Sequence, residues 1–214
     1  MGLKDVNVYE GDHRGVNISL DSREFSDVER RDLMEAGLVL AVAFVVFFTH
    51  GSVDVGTIAT VVCVVFAVFM GLLFKEAGQK NMARHNHNES EQTVDKRLFF
   101  LPLLTSLTGF LPYGFVAAAV GRVRLRHEAE GNLIGEVAAA GAAANLFLAG
   151  IFLIFYLTPL TLVRDPADVF VSVNASLALM TLLPAPLGDG TAVGRWNRGR
   201  HLLMIAIAVV MLLL

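Results

Sequence analysis

Apolar and polar positions separate along this chain into long blocks. Apolar runs from Ala36 to Thr49, about Gly56 to Phe74, Gly135 to Leu160, Phe170 to Leu183 and Leu202 to Leu214 are divided by charged stretches. A run that is apolar on every side and approaches the roughly 20 residues needed to cross a bilayer predicts a membrane helix. Spans are expected at about 33–50, 56–78, 135–160, 169–187 and 201–214. The first is lengthened by Leu33, Met34 and the turn ahead of them. Ser26-Asp27-Val28-Glu29 has the capping-box pattern, so that helix is expected to start there and run unbroken through His50. Earlier, Val6 to Glu10 and Val16 to Leu20 alternate apolar and polar side chains about Gly11-Asp12-His13-Arg14-Gly15, which predicts a β-hairpin. The expected organisation is an N-terminal cytoplasmic hairpin over 1–25 and a membrane domain over 26–214.

Leu98 to Val120 is also apolar, but Pro102, Gly109, Pro112 and Gly114 make it poor helix material. Charge decides whether it crosses. If residues 98–125 enter and leave on one side, all but one of the 17 lysines and arginines lie on that side, Arg164 being the exception. That is the positive-inside pattern, and it puts the N-terminus in the cytoplasm and the chain in the cell membrane. If the segment crossed, the triplets Arg122, Arg124, Arg126 and Arg195, Arg198, Arg200 would be exported. Residues 98–125 are therefore expected to be re-entrant, with Gly114 to Leu125 supplying a strand that neighbours shield from lipid.

Composition adds limits. A chain that is 55% hydrophobic and 17% charged fits a polytopic membrane protein. The net charge of −3 is too small to argue for a nucleic-acid partner, and no basic patch interleaved with aromatics suggests one, so none is expected. Cys63 is the single cysteine, so no intrachain disulfide can form and a thiolate metal site is not expected. The polar first 32 residues do not resemble a signal peptide, which leaves insertion to the first helix.

The candidate chemistry lies where the second span ends, in Gly71-Leu-Leu-Phe-Lys75-Glu76-Ala77-Gly78-Gln79-Lys80. Ionisable groups at membrane depth are costly unless they meet partners, so they mark a candidate site. With histidine at positions 75 and 79 the stretch would read H-E-x-x-H, two imidazoles one turn apart on zinc beside a glutamate base. Lysine and glutamine stand there instead. The plainer account is a lysine that snorkels to the interface. His85 and His87 flank Asn86, and His50, His127 and His201 lie near span ends. Solvated or interfacial side chains account for these five better than a metal site does.

Four stretches in order resemble the site-2 protease family of intramembrane zinc metalloproteases, particularly its archaeal members. Phe74-Lys-Glu-Ala-Gly-Gln79 with Met82-Ala-Arg84 is similar to F-H-E-x-G-H and its trailing A-R or A-K. Gly114-Phe-Val-Ala-Ala-Ala-Val-Gly121 is similar to the family's glycine- and alanine-rich strand at the membrane edge. Gly135-Glu-Val-Ala-Ala-Ala-Gly-Ala-Ala-Ala-Asn145 is similar to G-x-x-x-x-A-G-P-x-x-N, and Leu182-Leu-Pro-Ala-Pro-Leu-Gly-Asp189-Gly190 to L-L-P-x-P-P-L-D-G. The resemblance covers roughly Phe74 to Gly190.

It implies an α-helical polytopic fold with a re-entrant β segment at the membrane edge. It places Glu76 at the general-base position, Asn145 at the substrate-contact position and Asp189 at the third zinc-ligand position. Lys75 and Gln79 replace the two histidine ligands, and Thr181 stands where many members have asparagine. One carboxylate does not hold zinc, and an ammonium and an amide are not its usual donors. No cofactor is expected. The expected function is that of a pseudoprotease, inactive as an enzyme, that binds or scaffolds a transmembrane segment of another membrane protein. The alternative is an active zinc endopeptidase with Glu76 as base and the missing ligands supplied from elsewhere. A transport reading, with Lys75, Glu76, Asn145 and Asp189 along an ion path, lacks the inverted repeat that such proteins carry.

Overall fold

The computed structural model describes residues 26–49, 55–93, 100–107, 122–125, 131–183 and 189–214. The expected hairpin over 1–25, the Gly114–Gly121 stretch and the prolines at 184 and 186 lie outside them. Among the described residues seven helices and two strands follow in the order α1 Asp27–Thr49, α2 Val55–His85, β1 Ser90–Thr93, α3 Phe100–Leu107, β2 Arg122–Leu125, α4 Gly131–Tyr156, α5 Thr161–Leu182, α6 Gly190–Trp196 and α7 Arg198–Leu213.

The capping box forms as the sequence predicts. The Glu29 amide donates to Ser26 Oγ at 3.1 Å, and the Ser26 amide donates to the Glu29 carboxylate at 3.0 Å. Two orphan donors of the first turn are thereby satisfied. Helix α2 is longer than its apolar part and continues through the polar stretch to His85. It ends where His87 takes a positive φ of 54°, with the His87 amide on the Arg84 carbonyl at 2.9 Å and the Asn88 amide on the Ala83 carbonyl at 2.9 Å. That pair of reversed bonds is a Schellman stop, made without glycine.

Among the described residues, α1, α2 and α4 are long and apolar enough to cross a membrane. Their outward faces carry large apolar side chains such as Leu38, Ile58, Phe66, Phe147 and Ile154, the surface of a helical membrane protein. Helix α5 differs from the expected span. It begins at Thr161, carries Arg164, Asp165 and Pro166 in its first two turns, and then buries Val169 to Leu182 inside the bundle. Helix α7 has 16 residues and starts three positions before the expected span. The sequence reading missed α6 and β1, and it treated the stretch that forms α3 as unsuited to a helix. Pro102 sits in the first turn of α3, where its missing N–H breaks no bond.

Among the described residues three apolar clusters hold these elements, the smallest being Leu146, Ala178 and Ala208 of α4, α5 and α7. Leu40 and Phe44 of α1 pack with Val64, Val68 and Leu72 of α2 and with Phe170, Val173 and Leu177 of α5. At the opposite end, Ala83, Val123, Val137, Ala138, Ala142, Leu182 and Val193 join α2, β2, α4, α5 and α6. Small side chains dominate the second cluster, so backbones come close there. Strands β1 and β2 are antiparallel, with Ser90 opposite Leu125 and Thr93 opposite Arg122. The chain between Thr93 and Arg122 thus leaves and returns at one end of the bundle.

Candidate functional site

Helix α2 brings its polar stretch into the interior by turning one face toward α4 and α5. Gly71, Lys75 and Gln79 follow at intervals of four and lie on that face. At its apolar end the absence of a side chain at Gly71 admits α5: a Cβ there would lie 2.6 Å from Asn174 Oδ1 and 2.6 Å from Leu177 Cδ1. At the polar end a Cβ on Gly78 would lie 2.8 Å from the Ala140 carbonyl oxygen, and one on Gly141 would lie 2.7 Å from Gln79 Cγ. Lys75 is thus held between two close helix crossings, and it is 0% exposed. It does not snorkel.

The chemistry gathers at this level. Glu76 and Gln79 are 3% and 1% exposed, and Asn145, one turn beyond Gly141 on α4, is fully buried. Asp189 is brought in from the other side by the start of α6, where Gly190 lies so close to the Leu182 and Leu183 backbone that no side chain fits. Its carboxylate does not cap the helix. Both oxygens instead accept from the Val123 amide of β2, at 3.3 Å each.

Charges alternate across the site. Lys75 lies in the fields of Glu76 and Asp189. Glu76 in turn lies in those of Lys75 and Lys80. The Lys80 ammonium donates to both oxygens of Glu29, at 2.9 and 3.0 Å, which ties the start of α1 to the end of α2. The row Glu29, Lys80, Glu76, Lys75, Asp189 therefore runs from the first helix to the β2 edge with the sign changing at each step. Alternation offsets part of the desolvation of these buried groups.

Amides fill out the layer. Asn174 Nδ2 donates to the Phe170 carbonyl at 2.9 Å, but its Oδ1 has no partner. Among the described residues Gln79 Nε2 and both polar atoms of Asn145 also lack one. Asn174 was missed in the sequence, although it is the one amide inside the Phe170–Leu183 run. Thr181 spends its hydroxyl on the Leu177 carbonyl, 2.9 Å away. His201 is not solvated: it is 8% exposed, and its Nε2 meets the Leu182 carbonyl at 2.6 Å, closing an open end of α5. His85 and His87 are exposed at the end of α2.

At the three positions that the resemblance compares with zinc ligands stand Lys75, Gln79 and Asp189, and an ammonium and an amide are not usual zinc donors. Among the described residues no three histidine, cysteine, aspartate or glutamate side chains come together as a metal-holding group. The chain matches no protein-family model, no curated protein and no solved structure. Fold and site define a class: among the described residues the chain is mainly helical, with three helices long and apolar enough to cross a membrane and a buried row of alternating charges where α2, α4 and α6 meet.

Proposed function

We propose that this chain is a non-catalytic membrane protein built like a site-2 protease, which binds a transmembrane segment of another membrane protein and does not cut it. The observation that carries the reading is Lys75. Its side chain is wholly enclosed, in the fields of Glu76 and Asp189, at the helix position where the family places a zinc-ligating histidine. The ammonium supplies the positive charge that the metal would have supplied, and the carboxylates persist as its counter-ions. Glu76 then has no metal-activated water to deprotonate and serves as the charge between Lys75 and Lys80.

The contacts support the family-like arrangement at three points. The first motif meets the third at Gly78 and Gly141, the fourth meets the segment after the second at Asp189 and Val123, and the first and fourth meet in charge at Lys75 and Asp189. The paired ends of the 94–121 segment support a re-entrant excursion from the cytoplasmic side. A partner helix would dock beside the small-residue face of α4 and donate extended backbone to the edge strand. The polar atoms of Asn145 and Gln79 that lack partners among the described residues supply the donors and acceptor for unwound backbone.

Elemental mass spectrometry of protein purified without chelators or a metal-affinity tag tests the reading. Less than about a tenth of a zinc per chain is expected. Close to one zinc per chain, lost in Asp189→Asn, would overturn it in favour of a zinc endopeptidase.

A further inference from the structure

We infer that the turn joining α6 to α7 is a binding site for an anionic phospholipid headgroup, formed by Arg195, Arg198 and Arg200 beside Trp196. The three arginines fall within six positions and all are exposed. The Arg200 guanidinium lies over the Trp196 ring, 5.1 Å from its centroid. No acidic residue occurs from Gly190 to Leu214, and none of the described carboxylates is bridged to any of the three arginines. Asp189, the nearest acid in sequence, is buried and turned to Val123. Among the described residues no carboxylate balances these three cations, and an anion from outside the chain would.

The surroundings say which anion. Immediately after the arginines, α7 presents Leu202, Leu203, Val209, Val210 and Leu213 outward, so acyl chains lie against the helix that the guanidiniums crown. An indole and arginines at the end of a lipid-facing helix occupy the depth of the phosphate layer. Guanidinium binds phosphate through paired N–H donors, and stacking on Trp196 fixes the plane in which Arg200 offers them. The turn is also rigid. Gly135 of α4 packs directly against Ala192 and Trp196, and Asn197 accepts from the Arg200 amide at 2.9 Å. The arginines therefore project from a fixed frame. Arg164, at the other end of the molecule, offers a contrast: a single guanidinium over the Tyr156 ring, with Asp165 and Asp168 beside it.

Trp196 is the only tryptophan of the chain, so its fluorescence reports this site alone. The full chain is reconstituted into phosphatidylcholine vesicles containing either brominated phosphatidylglycerol or brominated phosphatidylcholine at equal mole fraction. Phosphatidylglycerol is expected to quench Trp196 as if favoured about fivefold or more, the worth of at least one arginine near an anionic surface. The preference should vanish in the triple variant Arg195→Gln, Arg198→Gln, Arg200→Gln and persist in Arg164→Gln. Retained quenching of the triple variant by brominated phosphatidylcholine shows that Trp196 still sits in the interface. If the triple variant fails to fold, Arg195→Gln and Arg198→Gln singly should each reduce the preference. Equal quenching by the two lipids overturns the site, and so does a preference that survives the triple change. An emission change produced equally by inorganic phosphate over phosphatidylcholine vesicles would assign the site to a soluble anion and overturn the lipid.

Discussion

Lys75 is the residue on which the interior depends. Lys75 is closed off from water, and the charges of Glu76 and Asp189 favour its ammonium form there. Removing it takes away the cation between Glu76, which keeps Lys80, and Asp189, which keeps the Val123 amide, and breaking a buried ionic group in this way costs about 3 kcal/mol or more. Lys75→Ala should lower the thermal midpoint in detergent, and Lys75→Ala combined with Asp189→Asn should recover part of the loss. An unchanged midpoint in the single variant would show that Lys75 balances nothing. Asn145 should behave in the opposite way. Both of its polar atoms lack partners among the described residues, so Asn145→Ala should remove a desolvation penalty and add helix propensity. Stability is expected to hold or rise while partner binding falls, the signature of a residue retained for contact. A loss above about 1 kcal/mol would mean that the amide already bonds within the chain.

Between elements, the crossings of α2 decide how closely its polar face is held. A Cβ on Gly78 would press on the Ala140 carbonyl, which is backbone and cannot give way, whereas one on Gly141 would press on the flexible end of Gln79. Gly78→Ala should therefore destabilise by about 1–3 kcal/mol, and Gly141→Ala by less. The order of the two in denaturant titrations is the check, and a reversed order would mean that Gln79 is locked. The end of α2 offers the converse. His87 holds a left-handed φ of 54° that disfavours any residue with a Cβ, so His87→Gly should stabilise by about 1 kcal/mol. Much of this element-level picture was legible in the chain. The capping box marked the start of α1, the long apolar runs marked the three long helices, and the cluster at Lys75 marked the site. What was not legible came from contacts distant in sequence. Ser90–Thr93 becomes a strand only because Arg122–Leu125 lies beside it. Gly190–Trp196 follows two prolines and reads as surface loop. Asn174 became notable only when Gly71 was found against it. The Glu29–Lys80 pair joins residues 51 positions apart, and no local pattern announces it.

For the whole molecule, the question is which end of the bundle faces the cytoplasm and whether the chain between β1 and β2 crosses. The capping Glu29 of α1 holds Lys80 near the end of α2, β1 pairs with β2, and β2 meets Asp189 just ahead of α6. These contacts gather Arg84, Arg124 and Arg198 toward one end, while Arg164 lies across the length of α4 and α5 from them. Positive charge resists transfer across the membrane, so the arginine-rich end should be cytoplasmic. The arrangement is checked in a Cys63→Ser background by introducing Arg84→Cys, Arg164→Cys or Arg198→Cys and treating intact cells with a membrane-impermeant maleimide. Only Arg164→Cys is expected to react before the cells are opened. Reaction of Arg198→Cys together with protection of Arg84→Cys would mean that residues 94–121 cross the membrane. The β1 and β2 pairing could not then survive, because its two strands would be left on opposite faces. Charge distribution and strand pairing thus stand or fall together, although one is read from the whole sequence and the other from four residue pairs.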